Sequence, residues 1–147
     1  MSFNYYLNGD TVAIEEGSTQ VPANSLSGAG ITNAIIPDSV TSIGDNAFLN
    51  NEITSISIPD SVITIGNNAF LGNQLLNVDL GNSVTTIGES AFQGYGESNV
   101  ITSIDIPDSV ITIGNSAFRW NSLSSVNLGN SVETIGKSAF SSNSLES

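Results

Sequence analysis

The sequence predicts a repeat solenoid, poor in helix, in which short parallel strands and single helical turns make five full coils of about 22 residues behind an N-terminal cap. Three observations carry that prediction. Five phenylalanines, Phe48, Phe70, Phe92, Phe118 and Phe140, each follow an alanine, at intervals of 22, 22, 26 and 22 residues. A column of asparagines, Asn51, Asn73, Asn99, Asn121 and Asn143, closes each unit, and the run Ser-Val-x-x-Ile-Gly recurs ahead of each Ala-Phe pair. A unit this short cannot bury its own apolar side, so neighbours must stack and share a core.

Residues 1–30 do not follow the repeat. Tyr5-Tyr6-Leu7 and Thr11-Val12-Ala13-Ile14 flank Asn8-Gly9-Asp10, a strong hairpin signal because Asn-Gly suits a tight turn, and this is expected to be the N-terminal cap. Glu15 to Gly30, rich in Gly, Ser, Pro and Asn, reads as a loop or a degenerate coil. The solenoid then runs over 31–147 as repeats 31–52, 53–74, 75–100, 101–122 and 123–144, with a sixth opening at 145–147.

The second repeat, ITSISIPDSVITIGNNAFLGNQ, shows the pattern in full. Its first segment is a short strand with Ile53, Ile56 and Ile58 inward and Thr54, Ser55 and Ser57 outward, and Pro59 ends it by withholding a ladder donor. A second extended piece places Val62 and Ile65 inside, and Gly66 supplies the turn. Asn67-Asn68-Ala69-Phe70 is expected to form one helical turn that drives the phenylalanine into the core. Coils stacked this way repeat at roughly 4.8 Å on the strand side. Repeats 2 and 4 nearly match, while 3 and 5 share Leu-Gly-Asn-Ser-Val, which points to duplication of a two-unit block. The third repeat alone carries four extra residues, within 93–99, and these should bulge outward as a loop. No C-terminal counterpart of the cap is visible, so the last coil is expected to be open to end-to-end association or to mark a fragment of a longer array.

The residues that follow this motif resemble the BspA-type leucine-rich repeat family of bacterial surface proteins, also found in some protists, whose units run L-x-x-I-x-I-P-x-S-V-x-x-I-G-x-x-A-F-x-x-N. The resemblance covers 31–147, and IPDSV, the Ile-Gly pair and Ala-Phe fall at the family positions. It implies a right-handed leucine-rich repeat solenoid, secreted or at the cell surface, with an adhesion or protein-binding role. It supplies no ligand and no defined binding residue. Repeats 3 and 5 depart from the pattern by carrying Leu-Gly-Asn for Ile-Pro-Asp, and repeat 3 by its insertion.

Charge and composition narrow the function. The net charge is −12, with 14 acids against two bases, Arg119 and Lys137. Nucleic acid is an unsuitable partner, since binding it depends on Lys and Arg neutralising phosphates, and anionic membrane surfaces are disfavoured for the same reason. The absence of cysteine and histidine removes disulfides, thiolates, imidazole bases and the usual zinc ligands. The chain shows no signal peptide and no membrane-inserting run. No cofactor and no metal site are expected.

Function is expected on the outward strand positions. One column holds Asn33, Ser55, Asn77, Ser103 and Ser125, and its neighbour Ile35, Ser57, Asp79, Asp105 and Asn127. Of these, Ser57, Asn77, Asp79, Ser103, Asp105 and Asn127 are the candidate binding residues. Asp79 and Asp105 are expected to stack about 5 Å apart and repel by roughly 1–3 kcal/mol, which a basic partner or a bound cation such as calcium would relieve. Solvated carboxylates are the simpler reading, and Asp38, Asp60 and Asp108 are read as Asx-type turn formers. A second candidate contact is the group Tyr95, Arg119 and Trp120, residue types enriched in binding hot spots. The asparagine and phenylalanine columns are read as structural. The threonine column Thr64, Thr86, Thr112 and Thr134 is read as strand preference, because a single rank makes a poor template for ordered water or ice. Stacked carboxylates on an open face make a poor hydrolase, which needs a pocket that separates its two acids. The expected function is therefore a non-enzymatic binding or adhesion module for a protein or glycan ligand. The alternative is a structural spacer or homo-oligomerising element that stacks through its C-terminal end.

Overall fold

The computed structural model describes residues 3–96 and 98–146. Met1, Ser2, Glu97 of the repeat 3 insertion and Ser147 of the opening sixth repeat lie outside the described residues. Thirteen strands occur among the described residues, and no helix. They run in order as β1 (Tyr5–Asn8), β2 (Thr11–Ile14), β3 (Gln20–Val21), β4 (Asn33–Ile35), β5 (Ser42–Ile43), β6 (Ser55–Ser57) and β7 (Thr64–Ile65). The rest are β8 (Asn77–Asp79), β9 (Thr86–Ile87), β10 (Ser103–Asp105), β11 (Thr112–Ile113), β12 (Ser125–Asn127) and β13 (Thr134–Ile135).

Each coil contributes one odd-numbered strand to a six-stranded parallel sheet ordered β13-β11-β9-β7-β5-β3. The register is set by the inward isoleucines, Ile43 facing Ile65, Ile65 facing Ile87, Ile87 facing Ile113 and Ile113 facing Ile135. Between the strand walls, the rings of Phe48, Phe70, Phe92, Phe118 and Phe140 stack with centroids 5.1, 5.2, 5.3 and 5.5 Å apart and planes within 9° of parallel. The ring spacing is the coil spacing, so each phenylalanine seals the floor of the next coil. The alanine before each ring is buried too.

The first thirty residues extend this stack. β1 and β2 form the antiparallel hairpin, and β2 then pairs in parallel with β4, bringing Val12 opposite Ala34. β3 pairs with β5, and Leu26 donates its N–H to the carbonyl of Ala47 as Phe48 does to Ala69. Leu26, 1% exposed, thus fills the phenylalanine column, and Thr11 to Gly30 closes as one more coil, giving about six turns in all. At the hairpin, Tyr6 donates its hydroxyl proton to the Glu15 carboxylate. That hydrogen bond raises the Tyr6 pKa and lowers that of Glu15.

The expected helical turns are replaced by chained β-turns. Ala47 donates to Gly44 and Leu49 to Asn46 within one coil, whereas the amides between them, on Asn46, Phe48 and Asn50, donate to Asn67, Ala69 and Leu71 of the next coil. Alternate amides therefore point along the solenoid axis, which an α-turn cannot do. The alternation requires left-handed backbone just before each alanine, and φ is +56° at Asn46, +53° at Asn68, +54° at Ser90, +55° at Ser116 and +60° at Ser138. Asparagine and serine, whose short polar side chains compete for backbone groups, are suitable there.

The asparagine column closes each coil. Asn73 accepts the Ile53 N–H at 3.1 Å through Oδ1, and its Nδ2 donates to the carbonyls of Phe48 at 2.8 Å and Phe70 at 3.1 Å. Asn51, Asn121 and Asn143 repeat the arrangement, Asn99 does so with the Gln93 carbonyl in place of that of Phe92, and Asn51, Asn99 and Asn121 are at most 7% exposed. Gly66 proves to be a matter of close approach, since a Cβ there would lie 2.6 Å from the backbone of Gly44 and Asp45 one coil below.

The even-numbered strands pair only in twos, β2 with β4, β6 with β8 and β10 with β12. The Pro-Asp and Gly-Asn variants explain the last two pairs. Gly81 and Gly129 pack so closely on the coil below that a Cβ would fall 2.5 Å from the Pro59 carbonyl oxygen and 2.4 Å from that of Pro107. That approach lets Ile58 donate to Asp79 and Ile106 to Asn127, both at 2.8 Å. Between β4 and β6 and between β8 and β10, where the upper coil carries Pro59 and Pro107 in place of glycine, no ladder forms. Asp60 and Asp108 act across coils: each Oδ1 accepts the backbone N–H of the following Gly-Asn asparagine, Asn82 or Asn130, at 2.8 Å. Their expected role as formers of their own turns is corrected accordingly.

Two stability predictions follow from these contacts. Asn73→Ala orphans one buried N–H and weakens two carbonyl contacts, and should cost on the order of 3 kcal/mol in denaturant unfolding; a loss below half of that is inconsistent with the clamp. Gly81→Ala should cost about 1–3 kcal/mol by forcing the two coils apart, whereas Ser83→Ala, at an exposed site in the same coil, should be near neutral.

Candidate binding surface

The breaks in the strand wall shape the surface next to them. Across the gap between β8 and β10 lies a cleft of about 690 Å³. Asn77, Asp79, Ser103, Asp105 and Asn127 line it, joined by Asn82, Asp108 and Asn130 from the turns after the strands. Three carboxylates and no basic side chain face this space, so its potential is negative. The apolar floor comes from Val78, Leu80, Ile106 and Leu128. Asp108, Asn82 and Asn130 belong to the surface although the strand columns alone did not point to them. Their signal in the sequence is the alternation of Pro-Asp with Gly-Asn.

Ser57 stands at the edge of this cleft. It donates its Oγ proton to Asp79 Oδ2 at 3.2 Å and lines a separate hollow with Asn33, Ile35, Asp38 and Ser55. Asp79 and Asp105 occupy successive coils, but they are not ladder partners. Asp79 faces Ser57 and Asp105 faces Asn127. The break falls between the two acids, so each has a neutral neighbour within its own pair, while both line the cleft. Among the described residues no group of three or more acidic side chains is placed to hold a metal ion.

Tyr95, Arg119 and Trp120 come together away from the cleft. The repeat 3 insertion carries Tyr95 to the Trp120 ring, edge-on with centroids 5.8 Å apart, and the Arg119 guanidinium lies 4.0 Å from the centre of that ring. Gly94 anchors the loop, donating its N–H to the Arg119 carbonyl at 2.9 Å and packing where a Cβ would strike the Trp120 carbonyl oxygen. Ser98 holds the tip, its Oγ accepting the Tyr95 N–H at 2.6 Å.

A stack of coils with parallel strands on two walls, turns clamped by asparagine and polar strand positions left on the outside defines a solenoid of the leucine-rich repeat class. The chain belongs to the BspA-type leucine-rich repeat family, whose model matches residues 1–101 and 94–147 in six copies. The match begins ahead of the five repeats evident in the sequence, over the segment that folds as the first coil. A leucine-rich repeat protein from Bacteroides ovatus ATCC 8483 is similar at 23% identity and a TM-score of 0.45, over 90% of this chain and 46% of that one. A leucine rich cell surface protein from Faecalibacterium prausnitzii A2-165 is similar at 21% identity and a TM-score of 0.42, over 93% of this chain and 58% of that one. The chain thus spans about half the length of these two solved structures. No curated protein matches it.

Because no three acidic side chains among the described residues are grouped to hold a metal ion, calcium is not expected to stabilise the fold. The thermal midpoint should be the same in chelator and in millimolar calcium, because a ligand specific to the folded state would raise it.

Proposed function

We propose that this chain is a non-enzymatic binding or adhesion module, exposed at a cell surface or secreted, that presents its strand face to a protein or glycan partner. The contact residues are Ser57, Asn77, Asp79, Ser103, Asp105 and Asn127. The observation that carries this reading is the cleft across the β8/β10 gap, where five of these six side chains converge over an apolar floor. Three carboxylates without a base suit a partner that brings positive charge, so association should weaken with salt. The cleft is open and its acids share one polar setting, which is poor ground for acid–base chemistry. Surface exposure is what the family resemblance suggests.

A structural spacer or self-assembly element that stacks through its C-terminal end is the second reading. Light scattering over a concentration series separates the two: a dimer that dissociates on dilution and is lost when a capping coil is added supports assembly, and a monomer throughout supports binding.

The main reading is tested with arrays of matrix proteins and glycans. Asp79→Lys with Asp105→Lys should weaken binding to a captured partner at least roughly tenfold and leave the thermal midpoint nearly unchanged, since both positions are exposed. Unfolding of the double variant would mean that these side chains are internal to the fold.

A further inference from the structure

Trp120 occupies a column that the rest of the solenoid reserves for small or flexible residues. Its counterparts are Gly28, Asn50, Gly72, Gly94 and Ser142, and all but Gly94 lie in the left-handed region with φ between +54° and +73°. Trp120 shares that conformation at +57°, a costly place for a bulky aromatic. The insertion that brings Tyr95 to this ring is the single interruption of the 22-residue period. Arg119 is one of two bases among 14 acids, yet among the described residues it forms no ion pair, and its Nε is buried without an acceptor. Three departures from the repeat thus converge on one spot, where Tyr95 is 71% and Trp120 38% exposed.

We propose that Tyr95, Arg119 and Trp120 form a binding platform for a neutral saccharide. Aromatic faces suit the flat C–H patch of a pyranose ring, and the outer N–H groups of a guanidinium donate in a fixed fork that two neighbouring hydroxyls can accept. The net charge of −12 repels acidic glycans and leaves neutral ones unopposed. A protein hot spot sits in a well-packed, desolvated pocket, whereas here Tyr95 stands 71% exposed. The platform lies outside the strand cleft and does not rest on the strand-face reading.

Trp120 is the sole tryptophan, so its fluorescence reports this site alone. The full chain is titrated with cellohexaose, xylohexaose and galactohexaose, and with hexagalacturonate as the acidic control. A saturable change with at least one neutral glycan is expected, with hexagalacturonate weaker, and Tyr95→Ala and Arg119→Gln should each weaken it roughly tenfold. Trp120→Asn, followed by calorimetry, should lose binding while its thermal midpoint holds or rises, because asparagine already serves this column at position 50. A fall in that midpoint of several degrees would assign the ring to packing of the loop and overturn the proposal. So would a response that survives Tyr95→Ala, or a preference for the acidic glycan. Silence toward all three neutral glycans overturns it as well and, where Trp120→Asn keeps its midpoint, leaves the platform to a protein partner.

Discussion

Each coil must turn back on itself while its backbone is covered above and below by other coils, and the buried asparagine is what makes such a turn tolerable. The turn leaves an N–H at the start of the coil and a carbonyl after the phenylalanine, with a second carbonyl exposed by the coil beneath. One amide side chain satisfies all three, as Asn73 does for Ile53, Phe70 and Phe48. Leaving such groups unpaired in the interior would cost on the order of 1–3 kcal/mol each, once per coil. With the turn held, the phenylalanine has one place to go, and ring-on-ring stacking at 5.1–5.5 Å follows from the coil repeat. The hydrophobic core is therefore a consequence of the clamp as much as a driving force for it.

A second constraint operates in pairs of coils. Proline at the end of one strand and glycine at the same place in the next are complementary: glycine admits the proline carbonyl at a distance no Cβ could tolerate, and the asparagine beside it donates to the aspartate below. The two-unit block in the sequence is thus a physical unit, joined inside by a full ladder and to its neighbour by a looser contact. The cleft across the β8/β10 gap lies on that looser contact. A uniform array of Ile-Pro-Asp coils would lack the alternation that sets tight pairs against open gaps.

The period, the strands, the inward isoleucines and the structural role of the asparagines were all legible in the sequence, because each depends on residue type at a fixed spacing. The turn conformation was not. Asn-Asn-Ala-Phe has the composition of a capped helical start, and only the demand of the next coil for donors along the axis selects alternating left-handed backbone instead. The first coil was half legible: Val12 and Val21 fit the pattern, but leucine in place of phenylalanine at position 26 hid the register. For the surface, the strand columns identified Asp79 and Asp105, yet not their separation by a ladder break, which depends on how proline and glycine stack between coils. The meeting of Tyr95 with Trp120 could be suspected from the insertion, but the left-handed backbone under the tryptophan could not.

Repetition also decides where functional information can reside. In a solenoid, a residue that recurs in every coil is explained by stacking, since each coil presents the same requirements to its neighbours. Phe70, Asn73 and Gly66 need no other account. What stacking does not explain is a residue that departs from its column at a cost. Trp120 accepts a strained backbone that Gly72 avoids, Tyr95 exists only because one coil carries an insertion, and Arg119 leaves Nε unpartnered in a chain rich in acids. The strand acids are a weaker case, because Asp79 and Asp105 sit comfortably beside Ser57 and Asn127 and cost the fold little. By this reasoning the cleft is a surface the fold makes available, whereas the aromatic platform is a feature the fold tolerates, and toleration of strain is the stronger sign of a role outside folding.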